Sequence, residues 1–290
     1  MKTVISASRR TDIPAFYMDW FMAGIKEGTF EVVNPYNRTV RQVPAGPDEV
    51  HTIVFWSKNF GSFLDMGYGE TLVRRGYHLF FNFTVNSKDR LLEPNLPPLD
   101  VRLSQLAEIA RRFGPERIHW RFDPICFYTT ANGDLANNLK DFSAIADAAA
   151  EAGIRRCITS FMDNYAKTKN RTAHMPDVTF VSPDPEKQVH IINRMASQLE
   201  NRGMALHTCC EKALTEALPA TSSVTPSACI PNTLFMELDG GEISTRKDTG
   251  QRVAQGCGCK VSIDIGSYDK HPCFHNCLFC YANPQTPPSY

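Results

Sequence analysis

Residues 52–59 read Thr-Ile-Val-Phe-Trp-Ser-Lys-Asn, a short β-rich run that ends in polar side chains. The same order occurs six times between residues 4 and 211: a β-rich run, polar residues at its end, then a segment with helical spacing of apolar residues. Strands buried on both faces have near-continuous apolar runs, and strands that alternate with helices predict a parallel sheet. The sequence therefore predicts an α/β protein.

The strand candidates are residues 4–8, 52–56, 77–84, 117–124, 156–161 and 205–209. Helices are predicted from Pro14 to Gly28 and over residues 63–75, 101–113, 135–149 and 192–199, with a hairpin insertion over 30–43. Doubly wound sheets and (β/α) barrels both fit this order. We expect a partial or complete (β/α) barrel, because polar residues follow nearly every strand and barrel strand ends meet at one mouth.

Five of the ten cysteines lie near the C-terminal end of the sequence, as Cys257-Gly-Cys259 and as Cys273, Cys277 and Cys280 in the spacing C-x3-C-x2-C. Thiolates three and four positions apart on one loop can turn towards a single metal centre. Iron–sulfur clusters and structural zinc are the centres that such thiolates hold. Zinc sites usually present two separate Cys-x2-Cys pairs, so the spacing favours iron and leaves zinc as the alternative. Whether Cys257 or Cys259 is a further ligand stays open.

The C-x3-C-x2-C spacing, with Phe279 before its last cysteine, resembles the cluster loop of the radical SAM superfamily. The resemblance implies a [4Fe-4S] cluster held by three cysteines, with a fourth iron that binds S-adenosylmethionine. It also implies an electron donor such as flavodoxin or ferredoxin, and a partial or full (β/α) barrel with the cluster at its mouth. In most members the loop follows the first strand, whereas here it follows the last predicted one.

Residues 5–14, 55–59, 120–124 and 256–283 together resemble an uncharacterised bacterial family defined by a domain of unknown function. The resemblance extends over nearly the whole chain. Because this family has no firm activity, it implies a cluster-binding, radical-SAM-like protein and no particular substrate.

Polar residues after the strands are the candidates for cofactor binding and catalysis. Arginine pairs carboxylates through two hydrogen bonds, so it suits the carboxylate of S-adenosylmethionine, and carboxylates suit ribose hydroxyls or proton transfer. Arg–Asp pairs that brace loops, and an Asp12 that caps the following helix, are the structural alternatives. The predicted cofactor-binding residues are Arg9, Arg10, Asp12, Asn59, Arg121 and Asp123, and the predicted catalytic residues are Lys58, Asp163 and Glu211.

Three cysteines stand alone in the sequence, and two more are adjacent, Cys209 and Cys210. Neighbouring residues on a strand point to opposite faces, so these two thiols are not both expected to face inward. One of them is expected in the core and the other is a candidate auxiliary ligand or reactive thiol. The isolated Cys126, Cys157 and Cys229 are expected to be core residues.

The composition is that of a globular protein, with a formal net charge of zero and 42% hydrophobic residues in 290. It therefore gives no general reason to expect a nucleic acid or an anionic membrane as partner. No run of 18 apolar residues occurs, and the first residues do not resemble a secretory signal, so we expect a cytoplasmic protein without a membrane partner. Two regions are predicted: a barrel-like domain over residues 1–230 and a cysteine-rich segment over 231–290, packed on the barrel mouth.

The functional hypothesis is a radical-SAM-like enzyme acting on a small-molecule or macromolecular substrate that the sequence does not identify. Its first rival is a barrel hydrolase or nucleic-acid repair protein in which the cluster is structural. Its second rival is a redox or metal-sensing protein without enzymatic activity.

Overall fold

The computed structural model describes residues 1–34, 37–163, 166–173, 175 and 178–282. The β-strands in this part of the chain are β1 (Thr3–Ala7), β2 (Thr29–Val33), β3 (Val40–Pro44), β4 (Val50–Ser57), β5 (His78–Thr84), β6 (Ile118–Ile125), β7 (Phe127–Thr129), β8 (Leu135–Asn137), β9 (Arg156–Phe161), β10 (Thr179–Phe180), β11 (Ala205–Thr208), β12 (Thr225–Pro226) and β13 (Ile263–Asp264). The α-helices are α1 (Ile13–Phe16), α2 (Met18–Glu27), α3 (Gly61–Asp65), α4 (Tyr68–Arg74), α5 (Leu99–Phe113), α6 (Phe142–Glu151), α7 (Ala166–Thr172), α8 (Pro185–Glu200), α9 (Lys212–Ala217) and α10 (Asn232–Asp239).

Eight strands form one parallel sheet in the order β12-β11-β9-β6-β5-β4-β1-β13. The predicted α/β class is therefore confirmed. Among the described residues β12 and β13 pair with one neighbour each, so the sheet is open and the expectation of a complete barrel is wrong. Both edge strands have only two residues, which leaves too few backbone groups to join the edges.

The two faces of the sheet pack against different parts of the chain, because alternate residues of a strand point to opposite faces. Ile53 and Phe81 belong to a core cluster that also contains the buried residues of the helices. Their sequence neighbours Val54 and Phe80 belong to a second cluster, together with Phe235 of α10 and several cysteines. Most of the helices thus pack on one face, and several residues between positions 209 and 259, including Phe235 of α10, pack on the other.

The six predicted strands are all present in the sheet, and β2 and β3 pair antiparallel, as the predicted hairpin requires. The predicted helix over residues 63–75 is instead two helices, α3 and α4. Gly67, between them, has a φ of 63°, which glycine adopts without the steric cost that a side chain would impose. The division at residue 230 stays a prediction; β13 of the second region pairs with β1. Within the described residues, no helix has the length and apolarity needed to cross a membrane.

Replacing Gly24 in α2 with alanine is expected to lower the free energy of unfolding by about 1–3 kcal/mol, the range for an overpacked core. The added Cβ would lie 2.2 Å from Cε1 of Phe30. Phe30 cannot move aside easily, because its ring is buried against Phe21 and Trp20. In an unhindered helix the same change would stabilise by up to about 1 kcal/mol. Urea denaturation measures the sign, with exposed Lys26→Ala on the same helix as a control that should change little.

Candidate functional site

The carboxyl ends of β1, β4, β6, β9 and β11 open on one cavity of about 650 Å³. Cavities of roughly 300–1,000 Å³ are typical of small-molecule and cofactor sites. Eight of the ten cysteines line it, in two groups: Cys273, Cys277 and Cys280, called here the C-terminal thiol loop, and Cys209, Cys210, Cys229, Cys257 and Cys259, called here the inner thiol group. All ten cysteines lie in the described residues, and none of them forms a disulfide.

The C-terminal thiol loop is held in place by backbone contacts around its cysteines. Leu278 donates its amide hydrogen to the carbonyl oxygen of Leu92 at 2.8 Å, and Arg171 Nη1 donates to the carbonyl of Leu278 at 2.6 Å. The amide of Cys280 donates to the carbonyl of Cys277, which closes a tight turn between these two ligand candidates. Burial is the main cause that raises the pKa of Cys273 to about 12. Burial also raises the pKa of Cys277, so these two thiols are protonated in the absence of a compensating positive charge.

Lys58 places a positive charge beside two thiols of this loop. It follows β4, lines the cavity and donates from Nζ to Oε1 of Glu93 at 2.6 Å. Burial alone would lower the pKa of Lys58, but Glu93, Cys277 and Cys280 outweigh it and raise the pKa. The Lys58 ammonium also lies 5.3 Å from the centre of the Phe279 ring. The lysine is thus a charged group between a buried carboxylate and two of the thiols.

Asp12 joins three segments of the chain beneath the loop. Its Oδ1 accepts from the amide of Ala15, which caps α1, and from the Ser57 hydroxyl at 2.7 Å. Its Oδ2 accepts from the amide of Lys58 at 2.9 Å and from Nε2 of His275 at 2.7 Å. Asp12 therefore caps helix α1, as the structural alternative in the sequence analysis predicts. It also orients His275 of the thiol loop.

Two predicted cofactor-binding residues lie outside the lining of the cavity. Asn59 uses its Oδ1 to accept from the amide of Gly61 and from Nε2 of Gln105, so it braces the start of α3. Arg10 donates from Nη1 to the carbonyl of Gly266 at 2.9 Å. The contacts of both residues are those of loop supports, and their predicted cofactor binding stays a prediction.

Arg9 and Arg121 both lie over the Trp56 ring, 5.2 and 5.5 Å from its centre. Arg121 donates from Nη1 to the sulfur of Cys229 at 2.6 Å and from Nη2 to Asp123 Oδ2 at 2.5 Å. Burial would raise the pKa of Asp123, but Arg121 and a hydrogen bond from the Ser160 hydroxyl lower it. Arg121 and Asp123 thus form the buried pair that their spacing on one strand face predicts.

The inner thiol group combines cysteines from three separate segments. Cys209 lies 3.8 Å from Cys210 and 3.6 Å from Cys229, measured between sulfur atoms. Sulfur contacts continue from Cys210 to Cys257, from Cys257 to Cys259, and from Cys259 to Cys229. Hydrogen bonds from the Cys229 and Cys257 thiols, and then the charge of Arg9, lower the pKa of Cys259. Cys257 and Cys259 are thus grouped with cysteines other than those of the C-terminal thiol loop.

The expectation that Cys209 and Cys210 do not both face inward is wrong, because both line the cavity, whereas the expectation of one core thiol holds for the buried Cys209. Strand β11 ends at Thr208, before either cysteine, and Cys210 has a φ of 60°, in the left-handed region. This turn of the backbone removes the alternation that a strand would impose. Cys229, expected in the core, is buried but also belongs to the group. The adjacent Cys209-Cys210 pair and the Cys257-Gly-Cys259 turn were the sequence signals for this arrangement.

The two remaining catalytic candidates follow β9 and β11. Asp163 forms an ion pair with Arg252 and lines the cavity. Glu211 accepts from the amide of Phe161 at 2.7 Å, and burial is the main cause that raises its pKa to about 7. Glu211 lies behind the cavity lining rather than in it. Its carboxyl group is therefore poised between its two protonation states near neutral pH.

Three buried polar atoms of cavity-lining residues have no hydrogen-bond partner among the described residues: Arg9 Nη2, Thr11 Oγ1 and His275 Nδ1. Buried polar atoms are nearly always paired, so an unpaired one often marks the place of a bound group. Within the described residues no three His, Cys, Asp or Glu side chains are placed to hold a single metal ion together. The cavity thus has unsatisfied donors and clustered thiols, without the convergent geometry of a mononuclear site.

Comparison with known families assigns most of this chain to one family. Residues 4–282 match the family model described as a domain of unknown function, DUF1848. The comparison with curated proteins gave no match. This match confirms the resemblance to an uncharacterised domain family. It includes the segments 5–14, 55–59 and 120–124 and all but the last residue of 256–283. This chain therefore belongs to the DUF1848 family.

Proposed function

We propose that this protein is a radical-SAM-like iron–sulfur enzyme whose cluster is held by Cys273, Cys277 and Cys280. The observation that carries the proposal is the placement of these three thiols on the wall of one large cavity, where the strand ends also supply polar groups. When bound, such a cluster supplies one electron that splits S-adenosylmethionine into methionine and a 5'-deoxyadenosyl radical, which removes hydrogen from a substrate.

The residues of the loop fit a polynuclear centre on several counts. The three thiols line the wall of one cavity, so they face a common volume. Their C-x3-C-x2-C spacing favours an iron–sulfur cluster over zinc, whose sites usually present two separate Cys-x2-Cys pairs. Lys58 adds a positive charge beside Cys277 and Cys280, and this charge favours their thiolate forms.

The wall of the cavity offers groups that suit the carboxylate and amino groups of S-adenosylmethionine. Arg9 Nη2 and Thr11 Oγ1 are buried donors without partners in the described residues, and a bound carboxylate would satisfy both. Arg121 is a weaker candidate for this role, because two of its nitrogens already donate to Asp123 and Cys229. Asp123 and Asp163 line the same cavity, paired with Arg121 and Arg252, and their carboxylates are the candidates to bind ribose or substrate hydroxyls.

The strand order of the sheet supports a partial (β/α) barrel rather than a doubly wound sheet. Its order follows the chain from β1 to β12 without a reversal, and a doubly wound sheet would reverse once. Right-handed crossovers in an unreversed order place the helices that lie between β1 and β12 in the chain on one face, as they do in barrels. The opposite face is then the concave side, on which the C-terminal residues pack.

The proposal is tested by anaerobic reconstitution of the full chain with iron and sulfide. We expect a brown protein whose electron paramagnetic resonance signal, after reduction, changes when S-adenosylmethionine is added. Dithionite or reduced flavodoxin should then yield 5'-deoxyadenosine and methionine in equal amounts. The proposal would be contradicted if the iron-loaded protein formed no 5'-deoxyadenosine and its electron paramagnetic resonance signal did not change on addition of S-adenosylmethionine. That result would favour a structural cluster.

A further inference from the structure

Two cysteines of the inner thiol group, Cys209 and Cys229, are in direct contact on the wall of the cavity. Their sulfur atoms lie 3.6 Å apart, and both residues are free thiols. A buried cysteine that packs as a small apolar residue needs no second thiol beside it, so packing alone does not explain this contact. Because both residues are buried, only a reactant small enough to enter this cavity of about 650 Å³ can reach them.

The backbone holds the two cysteines at neighbouring positions. The amide of Cys209, directly after β11, donates to the carbonyl oxygen of Thr159 on β9 at 2.9 Å. Ser227, two residues before Cys229, donates from its amide to the carbonyl oxygen of Thr208 at 2.8 Å. The segments that carry the two thiols are therefore hydrogen-bonded to each other and to the sheet.

A buried cation faces one of the two thiols. Arg121 donates from Nη1 to the sulfur of Cys229 at 2.6 Å, and from Nη2 to Asp123. An adjacent guanidinium group favours a thiolate, which is the form of cysteine that attacks other sulfur atoms. Hydrogen bonds with the Cys209 and Cys259 thiols, and then burial, raise the pKa of Cys229, whereas the charge of Arg121 lowers it. The resting pair is therefore a protonated dithiol, with a cation in place for the thiolate that forms during a reaction.

Cys209 also contacts Cys210, at 3.8 Å between sulfur atoms, but these two residues are less suited to form a disulfide. They are adjacent in the chain, and their trans peptide bond holds their Cα atoms about 3.8 Å apart. Disulfides usually join Cα atoms that lie about 4.4–6.8 Å apart. Cys229 belongs to a separate segment and is free of this restriction, so it is the more suitable partner for Cys209.

We infer that Cys209 and Cys229 are a redox-active dithiol that reduces small-molecule disulfides entering the cavity. The Cys229 thiolate attacks one sulfur of the disulfide, whose S–S bond breaks, and the first half leaves with the proton that Cys229 has lost. The sulfur of Cys209 then attacks that of Cys229, loses its proton to the second half and releases it as a thiol. Two electrons thus pass to the substrate, and a Cys209–Cys229 disulfide remains. This activity goes beyond the proposed function, since it requires neither iron nor S-adenosylmethionine.

The test uses the full chain without iron, which is first reduced and then mixed anaerobically with 2-hydroxyethyl disulfide, a small uncharged probe. Alkylation of the remaining thiols and peptide mapping by mass spectrometry should show about two thiols lost from the inner thiol group, joined as a Cys209–Cys229 disulfide. Cys209→Ser should stop at a mixed disulfide on Cys229, whereas Cys229→Ser should leave Cys209 unmodified over the same time. Cys157→Ser, at a buried thiol outside the group, should form the same disulfide as wild type.

Three results would overturn the inference: both thiols stay reduced, the mapped disulfide joins Cys209 to a thiol other than Cys229, or wild type stops at a mixed disulfide. The wild-type map decides alone if a serine variant fails to fold. Any of these results leaves the proposed function intact, because the C-terminal thiol loop takes no part in the reaction. Conversely, a reconstituted protein that forms no 5'-deoxyadenosine would contradict the proposed function and leave the dithiol unaffected.

Discussion

Replacing Cys277 with serine is expected to reduce cleavage of S-adenosylmethionine to background and to remove about four irons per chain. Cys277 is the middle ligand candidate of the C-terminal thiol loop, it is buried, and its thiol interacts with those of Cys273 and Cys280. A serine hydroxyl in the same buried position stays protonated and cannot replace a thiolate on iron. The prediction rests on the proposed function, and release of 5'-deoxyadenosine together with iron content measures it.

A matched control for Cys277→Ser is available in the same small core cluster. Cys126 is fully buried and packs in that cluster with Cys277 and Phe279, but it does not line the cavity. Cys126→Ser therefore introduces the same chemical change at a similar depth, and it should retain both iron and cleavage activity. If Cys277→Ser retains iron and cleavage activity as Cys126→Ser does, Cys277 is not a cluster ligand. The proposed function would then be wrong about the middle one of its three ligands.

The parts of the fold that were predictable from sequence are those with strong local patterns. Strands β4 and β5 are near-continuous apolar runs, as strands covered on both faces must be. Strands β12 and β13 have two residues each, which is too short for any hydrophobic period. Whether a sheet closes into a barrel depends on its edge strands. Because these two edge strands are so short, no sequence pattern reveals them, and the sequence alone does not decide between an open sheet and a complete barrel.

The candidate site was predictable in its residue types but not in its pairings. The C-x3-C-x2-C loop and the charged residues after strands are local signals, and most of these residues do line the cavity. Glu93 pairs with Lys58 across 35 positions, and it lies in a Pro-rich loop that gave no sign of the contact. The inner thiol group depends on the φ of Cys210, a backbone feature that the sequence does not encode locally.

Asp12→Ala is expected to lower the free energy of unfolding by about 3–5 kcal/mol, the range for breaking a buried charged network by removing one partner. The Asp12 side chain is 4% exposed and accepts four hydrogen bonds, from the amides of Ala15 and Lys58 and the side chains of Ser57 and His275. Its loss leaves buried donors unpaired in three separate segments, and unpaired donors cost more than the bonds themselves contribute. Urea denaturation of the metal-free protein measures the change.

Two further variants separate the charge of Asp12 from its shape and its location. Asp12→Asn keeps the volume but places an amide donor where an oxygen now accepts from Lys58 or His275, so it should lose a large part of the same stability. Asp19→Ala also removes an aspartate hydrogen bond, from the Tyr68 hydroxyl, but it does so on the surface and should cost less than about 1 kcal/mol. If Asp12→Ala were as mild as Asp19→Ala, Asp12 would not be the residue that fixes the thiol loop to the sheet. The cysteines would then be positioned by the other contacts of the loop, such as those of Leu278 with Leu92 and Arg171.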